Sequence, residues 1–220
     1  MKSAVFAALL VLSALAVSPS RADAPANLVS TGNFDFYVLT LSWSPGFCDN
    51  GGESKSPDQC ATGSGKGFVV HGLWPDNLNA PDPSDCGGGG YVSGAALEET
   101  HGLYPNSGLA RYEYNKHGTC TGLSAENYFA AVKYARAQFA IPDMLKAPSE
   151  PFDTTPREIE SAFIAANPNL TTGSMAVTCE GGELIDVRFC VSKDLGSFIE
   201  CPKVARHTCH SSSISVSPPR

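Results

Sequence analysis

Between residues 34 and 43 the chain reads FDFYVLTLSW, an alternating, aromatic and β-branched stretch that predicts a strand. A second strand is expected over 67–73. The intervening CDNGGESKSPDQCATGSGKG is rich in turn formers and reads as a loop. After a turn-rich excursion over 81–90 the periodicity becomes helical, predicting a short helix over 108–118 and a longer amphipathic one over 124–139. Thr155, Pro156 and Glu158 supply an N-cap, a first-turn proline and a capping-box partner for a helix running to about Ala166. MAVTC and ELIDVRFCV flank EGG as the arms of a hairpin would, and SFIEC is a candidate third strand. Strands at both ends with helices between them predict an α+β fold around a mainly antiparallel central sheet.

The two ends of the chain fall outside this pattern. MKSAVFAALLVLSALAVSPSRADA has an early lysine, an apolar run from Ala4 to Val17 and small residues at Ala22 and Ala24, the build of a cleavable secretory signal over residues 1–24. SSSISVSPPR, 211–220, reads as a disordered tail, which leaves one domain over 25–210. No later stretch offers the eighteen apolar residues of a membrane helix, so a secreted or periplasmic chain with no membrane contact in its mature form is expected. Asn169 opens an N-L-T acceptor that matters only in a glycosylating pathway.

All eight cysteines follow the leader, and an even count in an exported chain suggests four disulfides. Counting does not fix their connectivity, although the last four are spaced as one short bridge inside a longer one. No CxxC pair supports zinc. The formal charge is −7; losing Lys2, Arg21 and Asp23 with the leader leaves −8. An acidic chain can cut a polyanion only if its cations are concentrated in one cleft.

Candidate chemistry begins with an echo, HGLWPD at 71–76 and HGLYPN at 101–106. His101 follows Glu98, Glu99 and Thr100 and precedes a turn, which suits a surface or capping role. His207 and His210 flank Cys209 in polar sequence that asks for no function. His71 lies inside FVVHGLWP, where a strand enters a Gly and Pro turn and can aim the ring at a loop-built cleft. Alone, it would read as a hydrogen-bonded core histidine. In YEYNKHGTC, however, Tyr112, Glu113, Lys116 and His117 are related by spacings of three and four, which predicts one helical face. Gly118 ends that helix, and a bridge from Cys120 would pin it.

A phosphate-binding loop is excluded because Gly67 follows Lys66 and Cys60 stands where glycine is required. The HExxH spacing and the G-x-S-x-G elbow are absent as well. Two histidines, a carboxylate and a lysine suit in-line displacement at a phosphodiester, which needs a base, an acid and positive charge on the crowded phosphorus. Without a metal to activate water, the accessible nucleophile is the ribose 2′-hydroxyl, which only RNA carries beside its phosphate.

FVVHGLWP and YEYNKHGTC, in that order after FDFYVLTLSWSPGFC, closely resemble the ribonuclease T2 family, with a likeness running from about Phe34 to Cys209. The resemblance implies an endoribonuclease that cuts single-stranded RNA with low base specificity. Its products would be a 2′,3′-cyclic phosphate and then a 3′-phosphate, formed by a monomer with RNA as its partner and no cofactor or metal. It implies His71 as general acid, His117 as general base, and Glu113 and Lys116 as stabilisers of the pentavalent phosphate. Trp74 and Asp76 would line the base-binding site, and the bridges would be Cys48–Cys60, Cys86–Cys120, Cys179–Cys209 and Cys190–Cys201. HGLYPN falls in the family's variable spacer, so His101 is not carried over. One position departs: Tyr112 stands where the family usually has His, with Tyr114 where Trp is common, and Tyr112 is expected to be an ancillary phosphate contact. The rival from another class is a catalytically silent secreted binding or defence protein that keeps the fold, supported by the acidic charge and Tyr112.

Overall fold

The computed structural model describes residues 24–87 and 90–220, so the leader expected over 1–24 lies, up to residue 23, outside the described residues. Strands β1 (Phe36–Trp43), β2 (Phe68–Asp76), β3 (Phe152–Thr154), β4 (Met175–Glu180), β5 (Glu183–Ser192) and β6 (Ile214–Val216) form one sheet. Antiparallel ladders run β2–β1–β5–β4. Strand β6 joins the start of β5 by one parallel bridge and pairs antiparallel with β3. The helices are α1 (Ser44–Asp49), α2 (Pro57–Cys60), α3 (Gly94–Glu98), α4 (Ser107–Lys116), α5 (Ala125–Ala137), α6 (Asp143–Lys146), α7 (Pro156–Ala166) and α8 (Pro202–Ala205). The α+β class and the mainly antiparallel sheet are as expected.

Local signals account for several element ends. The Thr155 hydroxyl accepts from the Glu158 N–H at 3.1 Å while the Glu158 carboxylate accepts from the Thr155 N–H at 2.9 Å, closing the capping box at the start of α7. Gly181 and Gly182 both adopt positive φ, 58° and 85°, which the tight turn between β4 and β5 demands.

All eight residues of β1 are buried, because the sheet is covered on both faces. Tyr37, Leu39, Leu41 and Trp43 share the main core with Leu73, Val187 and Phe189, and with Tyr128, Phe129 and Phe163 from α5 and α7. Phe36 and Val38 face the other way, into a smaller core with Ala176, Cys190, Cys201 and Val204. Each large apolar side chain so buried contributes roughly 1.5–3 kcal/mol. Further along that second face, the cross-strand register replaces apolar residues with Thr40, Ser42, Asp186 and Arg188. A polar floor therefore lies on a rigid sheet.

Three expectations are corrected. Residues 211–220 are not a disordered tail: Ile214 and Val216 are buried in β6, Trp43 Nε1 donates to the Ser217 carbonyl at 3.1 Å, and Arg220 pairs with Asp49. The alternating I-S-V inside the serine-rich run supplies the strand, which pairs with β3 and β5. SFIEC adds no strand; it contributes one bridge, Val191 to Phe198. The stretch over 48–67, expected as loop, takes in the end of α1 with Cys48 and the whole of α2, which ends at Cys60. The four disulfides are Cys48–Cys60, Cys86–Cys120, Cys179–Cys209 and Cys190–Cys201, as the resemblance implied. No helix among the described residues is long and apolar enough to cross a membrane.

Candidate active site

His71 occupies the middle of β2 rather than its exit, and a bulge places it. Thr40 pairs with Gly72 and Leu41 with Val70, leaving His71 as the unpaired extra residue, while the Val70 N–H donates to the Leu103 carbonyl at 2.9 Å. A one-residue offset moves every later side chain to the opposite face. Leu73 consequently enters the core, and Gly72 and Trp74 join His71 over the polar floor.

Helix α4 lies beside the β2 edge and brings the second set. Asn106 caps it, its side-chain oxygen accepting from the Leu109 N–H at 2.9 Å. HGLYPN thus supports the site through Leu103 and Asn106, while His101 stays on the surface beside Glu98. The predicted single face of α4 divides in two, because consecutive residues are rotated by roughly 100°. Glu113 is buried, with 1 % of its surface exposed, and His117 follows it inward. Tyr112 and Lys116 point outward, joined by a hydrogen bond from Lys116 Nζ to the Tyr112 hydroxyl at 2.9 Å. His117 is the C-cap of α4, its N–H donating to the Glu113 carbonyl at 2.9 Å. The Asp85 N–H donates to the Lys116 carbonyl at 2.7 Å, and the Cys86–Cys120 bridge ties the same loop to the following turn. The end of α4 is therefore held from outside as well as within.

The two sets meet at Trp74. Its indole N–H donates to Glu113 Oε2 at 2.6 Å, and its ring centroid lies 5.2 Å from His71 and 5.4 Å from His117. Gly72 makes this contact feasible, since a Cβ there would fall 2.1 Å from the indole nitrogen. His71 Nε2 is 3.9 Å from Glu113 Oε1, and its Nδ1 is 3.8 Å from Asp186 Oδ1. Arg188 reaches Asp186 at 3.6 Å and covers the Trp74 ring at 5.8 Å. Asp186 and Arg188 were missed by sequence reasoning. Their signal is present in ELIDVRFCV, where two charges two residues apart interrupt an apolar strand and so share one face.

The electrostatics of the two imidazoles diverge. Burial lowers the affinity of His71 for a proton, but contact with Asp186 and the charge of Glu113 outweigh it and leave its pKa above the ordinary value. His117 is pushed down to about 4 by burial, by Lys116 and by His71. Burial raises Glu113, against the opposing pull of His71, the Trp74 N–H and Lys116. The hydrogen bond to Tyr112 raises Lys116.

A cleft of about 490 Å³ opens beside His71, lined by Ser42, Phe47, Gln59, Asn106, Tyr112 and Asp186 among others. Asp76 lies two residues beyond Trp74 and is engaged elsewhere: Lys203 Nζ donates to it at 3.0 Å and also pairs with Asp82. Burial and Asp82 push Asp76 up to about 6.

The sequence profile of the Ribonuclease T2 family matches residues 34–201. Ribonuclease DdI of Dictyostelium discoideum is 28% identical over 200 residues, covering 82% of this chain and 84% of its own. Ribonuclease S-4 of Pyrus pyrifolia is 30% identical over 204 residues, covering 82% and 87%. Among solved structures, an RNase-related protein from Calystegia sepium superposes with a TM-score of 0.64 at 25% identity, over 84% of this chain and 97% of that one.

Proposed function

The chain belongs to the ribonuclease T2 family, and from that membership we propose an endoribonuclease in which His117 and His71 act as a base and acid pair on a single RNA phosphodiester. Neutral His117 takes the proton of the ribose 2′-hydroxyl, whose oxygen attacks the phosphorus. The bond to the 5′-oxygen breaks as protonated His71 supplies its proton to that leaving group, giving a 2′,3′-cyclic phosphate. In the second half the roles exchange, water replaces the departed nucleoside and a 3′-phosphate results.

The observation that carries this reading is the opposite displacement of two imidazoles facing one indole, His71 upward and His117 down to about 4. At mildly acidic pH each then holds the protonation state its role requires. Lys116 supplies positive charge to the phosphorane, assisted by the Tyr112 hydroxyl it contacts. Glu113, held by the Trp74 N–H and 3.9 Å from His71, is placed to act at the same phosphate.

Trp74 commits its N–H to Glu113 and can offer a nucleobase only its ring face, a contact that tolerates every base. Asp76 can accept from a base only in competition with Lys203. Both features support low base specificity. Both imidazoles come from one chain, which supports action as a monomer. The apolar leader and four disulfides support a secreted or periplasmic location. His71→Ala and His117→Ala, each checked for native circular dichroism, are expected to lose nearly all cleavage of RNA. Near-native turnover by either folded variant would overturn the assignment.

A further inference from the structure

Asp186 plays no part in the proton transfers above, yet its surroundings are unusual. It sits on β5 with 5 % of its surface exposed, and the register places it opposite Ser42 on the polar floor. One carboxylate oxygen, Oδ2, faces Arg188 at 3.6 Å. The other, Oδ1, is buried without a hydrogen-bond partner and lies 3.8 Å from His71 Nδ1. A buried carboxylate oxygen left unpaired costs free energy unless a cation or donor meets it during function. The group in its reach is the imidazole on the β2 bulge, and catalytic contacts often tighten only when substrate binds.

We infer that Asp186 is a positioning residue for the proposed reaction: braced by Arg188, it engages His71 from the Nδ1 side and keeps Nε2 turned to the substrate as the proton-bearing nitrogen. This rests on the assignment of His71 as general acid. An imidazole has two nitrogens, and a carboxylate on one fixes which proton the other can deliver. On the Nε2 side His71 meets Glu113 of α4 at 3.9 Å. Tyr112 and Lys55 border the same cleft, and His117 stands across the Trp74 ring. Asp186 is thus the charged group on the Nδ1 side, with Arg188 tempering it. That arrangement sets two substitutions against each other. Removing the carboxylate charge weakens the hold on the His71 proton, whereas removing the guanidinium frees the carboxylate to strengthen it.

The test uses the full-length oxidised protein with a dinucleotide substrate, pH profiles of kcat/KM and an NMR titration of the His71 Cε1–H resonance. Asp186→Asn is expected to move the high-pH limb and the His71 titration downward by about one pH unit. Its kcat/KM would fall severalfold near pH 7, approach a roughly tenfold loss well above the limb and stay near wild type at pH 5, with the loss in kcat rather than KM. Arg188→Gln is expected to move the same limb and resonance upward. A merely structural role would lower activity at every pH and could not produce opposite shifts. Unmoved midpoints, or shifts of the same sign in both variants, overturn the inference. If Asp186→Asn does not fold, the Arg188→Gln titration decides alone, and an unmoved or lowered His71 midpoint rejects the proposal. His71→Ala run alongside separates the failures: a folded His71→Ala that still cleaves RNA removes the acid assignment itself, whereas an inactive one beside unshifted Asp186 and Arg188 variants removes only the role given to Asp186.

Discussion

Gly72→Ala adds one methyl group at the point where the two active-site segments meet. Its Cβ would lie 2.1 Å from Trp74 Nε1, 2.8 Å from Trp74 Cδ1 and 2.4 Å from Glu113 Oε2, in the path of the 2.6 Å hydrogen bond between them. An indole is rigid and packed against the smaller core, so it cannot yield by bending. The ring must swing, and the buried carboxylate then loses its donor. A hydrogen bond to a charged group is worth about 1.5–3 kcal/mol, and overpacking adds roughly 1–3 kcal/mol. The expected destabilisation is therefore on the order of 3–5 kcal/mol, a fall in Tm of roughly 6–20 °C for a domain of this size. Because Glu113 is displaced from the proposed phosphate site, kcat/KM should fall by about tenfold or more in protein that remains folded. Thermal melts and dinucleotide kinetics on Gly72→Ala, Trp74→Phe and the double variant provide the assay. The double variant should be less damaged than the sum of the singles, since Phe removes the atom with which the methyl collides. A Gly72→Ala protein with wild-type Tm and turnover, or strict additivity in the cycle, would refute the reasoning.

The rate should follow a bell against pH. Activity is lost as pH falls through about 4, where His117 gains a proton, and again above the ordinary histidine value, where His71 gives its own up. Lys116→Ala should move the acidic limb upward, because Lys116 helps to hold His117 low; a profile with no dependence on pH between 3 and 9 contradicts both assignments. Tyr112→Phe should cost only modestly, roughly fivefold in kcat/KM, as the solvent-exposed hydrogen bond from the Lys116 ammonium disappears. Lys116→Ala should be the more damaging of the two, and Tyr112→His should raise turnover mainly below neutral pH; abolition of cleavage by Tyr112→Phe would make Tyr112 a catalytic group.

What the sequence disclosed follows from how local each cause is. The first two strands, the β4–β5 hairpin and the α7 capping box are written in spacing and turn residues within a few positions, and each is found in place. His71, Glu113, Lys116 and His117 were legible because two motifs carry them. The bulge that seats His71 depends on the pairing of β2 with β1, which spacing alone does not reveal. The division of the α4 face, with Tyr112 and Lys116 outside and Glu113 inside, depends on which side of the helix meets the sheet. Asp186 and Arg188 become neighbours of His71 only when β5 pairs with β1, opposite the strand that holds the histidine. The last residues were misread because serine-rich sequence suggests disorder. Two apolar side chains, Ile214 and Val216, suffice for a strand once β3 is there to receive them.

In the proposed reaction two imidazoles transfer protons to and from the oxygens of a single RNA phosphodiester, with the adjacent 2′-hydroxyl as nucleophile. Its most direct test is product analysis of the purified chain with RNA, with DNA of the same sequence, and with RNA in excess chelator. The account predicts RNA fragments ending in 2′,3′-cyclic phosphate that convert to 3′-phosphate, unchanged by the chelator, and intact DNA. Cleavage of the DNA, 5′-phosphate ends, or abolition by the chelator would contradict it.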